Sequence, residues 1–236
     1  MQRLKEFTTL FLDIGGVLLT NGWDHEARKR AAMHFELELA ELEDRHHLAV
    51  EAYEEGKITL DEYLGQVVFC RERSFTRNQF REFMFGQSRP DINMIELVRK
   101  LKIQHELKIA VVNNEARELN SLRIRTFKLD GIVDCFISSC FVHVRKPDAG
   151  IFQLALDITQ APARRVVYID GQPPCVQAAE GLGIRSIHHT DYKSTSTKLA
   201  SFGLDCRSPF WSERSEAGRQ LLALSTAQRK EQHERE

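Results

Sequence analysis

Apolar positions in this chain follow two rhythms in turn. A short apolar run at residues 8–12 reads as a buried strand, and Gly15-Gly16 punctuates it at once. From about residue 24 to 99 the spacing becomes helical and the charge dense. Phe35, Leu37, Leu39 and Leu42, then Tyr53, Ile58, Leu60 and Tyr63, fall on amphipathic faces. Gly56 reads as the cap ending one helix. Thr59, with Glu62 three residues on, reads as the capping box that opens the next. A further helix is expected to start around Ser74 to Thr76, and Pro90 to close the region.

After that the rhythm alternates. Residues 108–112, 135–139, 165–169 and 184–188 predict strands, and residues 115–127, 148–158 and 174–182 predict helices between them. Such alternation implies an α/β fold, a doubly wound parallel sheet with helices on both faces. The all-helical block after the first strand should then lie as a cap over the carboxyl edge of the sheet. The expected division is a core of residues 1–22 and 91–206, a helical cap of 23–90 and a charged tail of 207–236. Hinges fall near residues 19–23 and 88–91. In the tail, Leu221, Leu222 and Leu224 suit one helical turn, while residues 228–236 are expected to fray.

Composition narrows the field of functions. At 236 residues one or two domains are expected, with a core of ordinary size. A formal net charge of -1, with acids and bases mixed, supplies no basic field to attract nucleic acid. Apolar runs are strand-sized and too short to span a bilayer, and no signal peptide is evident. Five dispersed cysteines, Cys70, Cys135, Cys140, Cys175 and Cys206, form no CxxC pair; they suit reduced thiols in a cytoplasmic protein and no structural zinc site. Nothing in the sequence reads out an oligomeric state.

Ligands of an open parallel sheet bind beyond the carboxyl ends of its strands. Asp13, Asn113 with Asn114, Lys146 and Asp170 all stand there. A carboxylate followed by glycines can attack with no side chain in the way. A second carboxylate can share a divalent cation with it, and a lysine can hold both the first aspartate and a phosphate oxygen. Each residue also has a plainer role: Asp13 and Asp170 in turns, Lys146 solvated, Asn113-Asn114 as loop punctuation. His46-His47 and His188-His189 are read as structural or surface pairs, because neighbouring histidines on a helix face different ways. Trp23, Asp24 and His25 suit the start of the cap, with substrate contact as the alternative.

Four motifs in order carry a resemblance. Phe11-Leu12-Asp13-Ile14-Gly15-Gly16-Val17-Leu18 resembles the first motif of the haloacid dehalogenase-like hydrolase superfamily in its DxGG variant. Val111-Val112-Asn113-Asn114 is similar to the second, Arg145-Lys146-Pro147-Asp148 to the third and Val167-Tyr168-Ile169-Asp170-Gly171 to the fourth. The helical insert is similar to the cap of subfamily I. The resemblance implies a magnesium-dependent phosphatase of a small phosphorylated metabolite, with Asp13 as nucleophile and Lys146 as its cationic partner. It implies Asn113, Asn114 and Gly16 at the substrate, and Asp13, the Gly15 carbonyl and Asp170 at Mg2+.

Departures from the family pattern qualify this. Gly15 stands where most family phosphatases carry the aspartate that protonates the leaving group, a loss typically of about 10²–10⁴-fold. Asn113 replaces a serine or threonine, Gly171 the second acid of the fourth motif, and Cys175 a common aspartate or asparagine. Two rivals follow: a catalytically impaired protein that binds a phosphorylated ligand or partner, and metal-free dehalogenation, for which no halide-binding pattern is present.

Overall fold

The computed structural model describes residues 6–206; the expected tail with Leu221, Leu222 and Leu224 lies outside the described residues. The chain opens with β1 (Thr9–Leu12), then runs through four helices, α1 (His25–His34), α2 (Leu39–Glu54), α3 (Leu60–Val67) and α4 (Arg77–Phe85). There follow α5 (Ile92–His105), β2 (Lys108–Asn113), α6 (Arg117–Thr126), β3 (Cys135–Ser138) and the short α7 (Ser139–Val142). The remainder is α8 (Ala149–Thr159), β4 (Val166–Asp170), α9 (Pro173–Gly181), β5 (Arg185–His188) and α10 (Tyr192–Ser201).

The five strands make one parallel sheet in the order β3-β2-β1-β4-β5. The chain winds outward from β1 to β3, then crosses to start again at β4, so strand order reverses at β1 and a crevice opens there. Leu12 pairs with Val111 on one side and Ile169 on the other, and the Asp13 N–H continues the ladder to the Ile169 carbonyl at 3.0 Å. This register delivers the ends of β1 and β4 to the same spot.

Alternate residues of the strands feed two different cores. Leu10, Leu12, Val111, Val167 and Ile169 pack with Met94, Val98 and Leu101 of α5 and Leu199 of α10. Phe11, Ala110, Val112 and Tyr168 pack with Ile151, Phe152 and Ala155 of α8 and Ala179 of α9. Both faces of the sheet are therefore covered, as the near-continuous apolar strands require.

Helices α1–α4 gather round a third apolar cluster that includes Trp23, Leu42, Tyr63, Phe80 and Met84, and that also takes in Ala116 and Leu119 beside α6. The entry and exit passages of this block run side by side: Thr20 N–H donates to the Arg89 carbonyl at 2.9 Å and Asp91 N–H to the Leu18 carbonyl at 2.8 Å. The capping box is present, with Glu62 N–H on Thr59 Oγ1 at 3.3 Å and Thr59 N–H on Glu62 Oε2 at 2.7 Å. Gly56 follows α2 with φ +68°, and a Cβ there would lie 2.3 Å from the Cys140 carbonyl, so a glycine is needed where α2 meets α7.

Three elements depart from the pattern. Ser139 opens α7 instead of ending β3. The helical spacing expected to reach residue 99 continues as α5 to His105, started by Asp91, whose side chain accepts from Met94 N–H at 3.0 Å. Helix α10 is unheralded because its sequence is polar and buries only Thr195 and Leu199; the Asp191 cap on Ser194 N–H at 2.8 Å starts it.

Candidate active site

Asp13 leaves the end of β1 with its side chain held from two directions. Its Oδ1 accepts from Ile14 N–H at 2.8 Å and lies 3.2 Å from Lys146 Nζ. The same ammonium donates to Asp170 Oδ2, at the end of β4, at 2.6 Å. Lys146 itself comes from the loop between α7 and α8. Asn114 clamps that loop: its Oδ1 accepts from Lys146 N–H at 2.8 Å and its Nδ2 donates to the Lys146 carbonyl at 2.9 Å. One buried ammonium thus bridges two strand-end carboxylates. Burial pushes the Asp13 carboxyl up to about 6 although Lys146 opposes the rise. Burial works against the Lys146 charge as well, but Asp13 and Asp170 outweigh it and hold the ammonium above its ordinary value.

A cavity of about 450 Å³ opens on this pair. Asp13, Gly15, Asn113 and Lys146 line its sheet side; Trp23, His46, Tyr53 and Met84 line the side built by the helical block. Asp170 is fully buried and does not reach the wall. Its Oδ2 receives Lys146 and the Tyr168 hydroxyl, and its Oδ1 receives Gln172 N–H at 2.7 Å.

Three expected substrate contacts take other partners. Both ends of the Asn114 amide hold the Lys146 backbone, which makes it a positioning residue. The Asn113 amide gives one of its two N–H groups to Asn120 Oδ1 at 3.1 Å, and its own Oδ1 is buried without a partner, so only the second N–H is left for a substrate. Gly16 N–H donates to the Leu19 carbonyl at 2.7 Å; with φ +73° and Asn21 Oδ1 2.7 Å from where a Cβ would sit, Gly16 serves the turn.

The expected magnesium set of Asp13, Gly15 carbonyl and Asp170 is not assembled at the cavity wall. Asp170 Oδ2 accepts two protein donors and Oδ1 one, and only Asp13 and Gly15 of the three reach the cavity. Among the described residues no three His, Cys, Asp or Glu side chains gather as a metal site. Gly171 has no carboxylate to offer, although a Cβ there would meet only ordinary contacts, 3.7 Å from the Gly16 carbonyl and 3.9 Å from that of His189. A hard cation that keeps most of its waters still needs carboxylate charge from the protein.

Several cavity residues were not singled out by the sequence. Glu115 follows β2 and pairs with Arg123, whose side chain is 1% exposed and whose guanidinium also donates to the Thr20 carbonyl. Burial raises the Glu115 carboxyl to about 7, against the pull of Arg123. Arg28 is held by Glu43 at 2.9 Å and by the Trp23 carbonyl at 2.7 Å, and Arg145 by Glu54 at 2.7 Å and Glu51 at 3.0 Å. Of the paired histidines, His46 is buried and His47 exposed, and it is His46 that reaches the cavity. Asp24 accepts from Ala27 N–H at 2.8 Å and caps α1. The one available signal was that Glu115 stands just past a strand at the carboxyl edge; Arg28 comes from the helical block, where spacing shows a face but not its neighbour, Arg123 from α6 and Arg145 from the loop that carries Lys146.

A doubly wound sheet with a strand-end aspartate and a bridging lysine beneath a helical block defines a Rossmann-like hydrolase. A family model described as haloacid dehalogenase-like hydrolase matches residues 7–183, and the chain belongs to that family. It is 28% identical over 152 residues to the sesquiterpene phosphatase astK of Aspergillus oryzae, covering 63% of this chain and 76% of that one. Among solved structures, the magnesium complex of the HAD family enzyme bt-2542 from Bacteroides thetaiotaomicron superposes with a TM-score of 0.66 at 18% identity, over 79% of this chain and 94% of that one. A predicted HAD-like family hydrolase from Porphyromonas gingivalis gives 0.65 at 16% identity, over 83% and 98%. Among the described residues no helix is long and apolar enough to cross a membrane.

Proposed function

We propose that the chain is a phosphatase that cleaves a small phosphorylated metabolite through an aspartyl-phosphate on Asp13. The observation that carries this is the Asp13–Lys146 pair at the cavity wall: Oδ1 is held by Ile14 N–H and faces Lys146 Nζ at 3.2 Å, while Oδ2 has no protein hydrogen bond among the described residues. Oδ2 attacks phosphorus, the bond from phosphorus to the leaving oxygen breaks, and its electron pair departs with that oxygen. Lys146 turns its charge from Asp13, now esterified, toward the phosphoryl oxygens. Glu115, in the same cavity and titrating near neutrality, gives the proton that Gly15 cannot. Water, giving a proton back to Glu115, then attacks the phosphorus of the acyl phosphate; the bond from phosphorus to Asp13 breaks, inorganic phosphate leaves and the Asp13 carboxylate is restored.

Helices α1–α4 act as the cap that selects the leaving group. A sesquiterpene phosphatase among the relatives supports phosphate-ester chemistry. Magnesium, expected from the resemblance and present in the Bacteroides complexes, would find only Asp13 and the Gly15 carbonyl, so no step is assigned to it. The test is phosphate release from a panel of phosphomonoesters, with and without magnesium. Turnover that Asp13→Asn abolishes supports the reading; turnover that survives that substitution removes it. A second reading, a protein that holds a phosphorylated ligand without efficient turnover, is favoured by the burial of Asp170 against Lys146, off the cavity wall, and the missing acid at 171. Binding without phosphate release in the same panel would select it.

A further inference from the structure

The helical side of the cavity carries a polar device that the chemistry above does not use. Trp23 Nε1 lies 2.9 Å from the Tyr63 hydroxyl, and the same hydroxyl lies 2.7 Å from His46 Nδ1. Tyr63 is fully buried and stacks on Tyr53 at 4.3 Å, so the chain of groups is held in place. An indole N–H only donates, so the Tyr63 oxygen accepts from Trp23. Its single proton then needs an acceptor, and His46 Nδ1 is the one within reach. The ring proton of a neutral His46 must therefore sit on Nε2. That nitrogen has no partner among the described residues, and His46 lines the cavity.

We propose that His46 is a specificity-determining residue whose Nε2–H, fixed by Tyr63 and Trp23 as positioning residues, receives an uncharged oxygen of the substrate's leaving group. The inference rests on the phosphatase reading and deepens it. Burial, with Arg28 and His47 adding, pushes the His46 imidazole down to about 3, so the ring stays neutral at physiological pH. A neutral donor is a poor match for a phosphate dianion, which has Lys146 on the sheet side. Around it apolar Trp23, Val50, Met84 and Leu119 alternate with charges already paired within the protein, Arg28 with Glu43 and Arg145 with Glu54, and on the same α2 face the buried Tyr53 hydroxyl has no partner. The leaving group that fits is an alcohol with a mainly apolar body and one or two uncharged oxygens set into it. An apolar isostere leaves the buried N–H without an acceptor, which costs affinity roughly three- to tenfold.

Alkylphosphonates from propyl to hexyl, which are not hydrolysed, serve as probes beside isosteres in which one methylene is replaced by an ether oxygen. Calorimetry on the wild-type chain should show at least one ether isostere binding about three- to tenfold tighter than its alkyl parent. His46→Phe should reverse that preference, because the ether oxygen is then buried without a donor. His46→Gln, which returns an N–H close to the place of Nε2, should keep it. Nitrogen-15 NMR of the wild type should show His46 as the Nε2–H tautomer, and Tyr63→Phe should convert it to a mixture, a readout that does not depend on any variant binding ligand. Equal binding of ether and alkyl probes, a preference untouched by His46→Phe, or an Nδ1–H tautomer in the wild type would overturn the proposal while leaving the phosphatase reading in place. If no phosphonate binds at all, this proposal falls, while the phosphatase reading is still decided by phosphate release and its loss in Asp13→Asn.

Discussion

The Tyr168 hydroxyl donates to Asp170 Oδ2, the same oxygen that receives Lys146 Nζ at 2.6 Å. Two positions apart on β4, the two side chains share one face of the strand, so the phenol reaches the carboxylate from within the sheet. Burial, helped by the Asp170 and Asp13 charges, holds the Tyr168 phenol far above its ordinary value and keeps it a donor. Asp170 therefore works as an internal counter-ion to Lys146.

Replacing Tyr168 with phenylalanine removes one donor from a buried carboxylate. Bonds to charged groups are worth about 1.5–3 kcal/mol, so urea unfolding should show a loss of about that size with an unchanged m-value. A loss below about 0.5 kcal/mol would mean that the hydroxyl contributes nothing to holding Asp170.

Lys146→Met leaves Asp13 and Asp170 facing each other with no cation between them. Removing one partner of a buried pair costs about 3–5 kcal/mol, and the loss should be greatest at alkaline pH, where both acids are charged. Adding Asp13→Asn to the same chain should recover part of it, with a coupling energy of about 0.5–3 kcal/mol in the double-mutant cycle. Additive losses would refute the bridging role.

Magnesium should bind the free protein weakly, because Asp170 is buried off the cavity wall and paired with Lys146, and position 171 has no carboxylate. Gly171→Asp adds one beside the Gly16 carbonyl without backbone strain, so calorimetry should show tighter magnesium binding, at least tenfold by the affinity scale for about 1.4 kcal/mol. The phosphatase rate should rise with it. Unchanged magnesium affinity in this variant would show that position 171 does not face the site.

Glu115 gives a prediction with a definite sign. Its folded carboxyl is raised from 4.5 to about 7, chiefly by burial, and its side chain is 12% exposed. The folded state therefore holds the proton more tightly than the unfolded chain. The stability this contributes is fully present below about 4.5 and is lost as pH rises through about 7. Glu115→Gln removes that dependence. The wild-type unfolding free energy, taken relative to the variant, should fall between pH 5 and 8 by about 1–3 kcal/mol. The variant should also lose about 10²–10⁴-fold in phosphatase rate if Glu115 is the proton donor. A flat difference across that range would show that Glu115 is ionised throughout.

The sequence by itself determined the order of the five strands and of the helices other than α7 and α10, the capping box at Thr59 and Glu62, and the placing of Asp13, Lys146 and Asp170 past strand ends. These are local facts: a period of two or of 3.6, a cap three residues wide, a glycine that ends a run. It could not show which atom each side chain would meet. Asn114 turned out to clamp Lys146, Asn113 to donate to Asn120, and Gly16 to serve its own turn. Only the register of β1 with β4 brings Asp13 and Asp170 to one ammonium, and only the packing of the helical block brings His46 and Tyr53 to the cavity. Hydrogen bonds act over about 3 Å and join residues far apart in the chain, such as Trp23 and Tyr63. Spacing along the chain carries no record of that distance until the sheet has wound and the helices have closed over it.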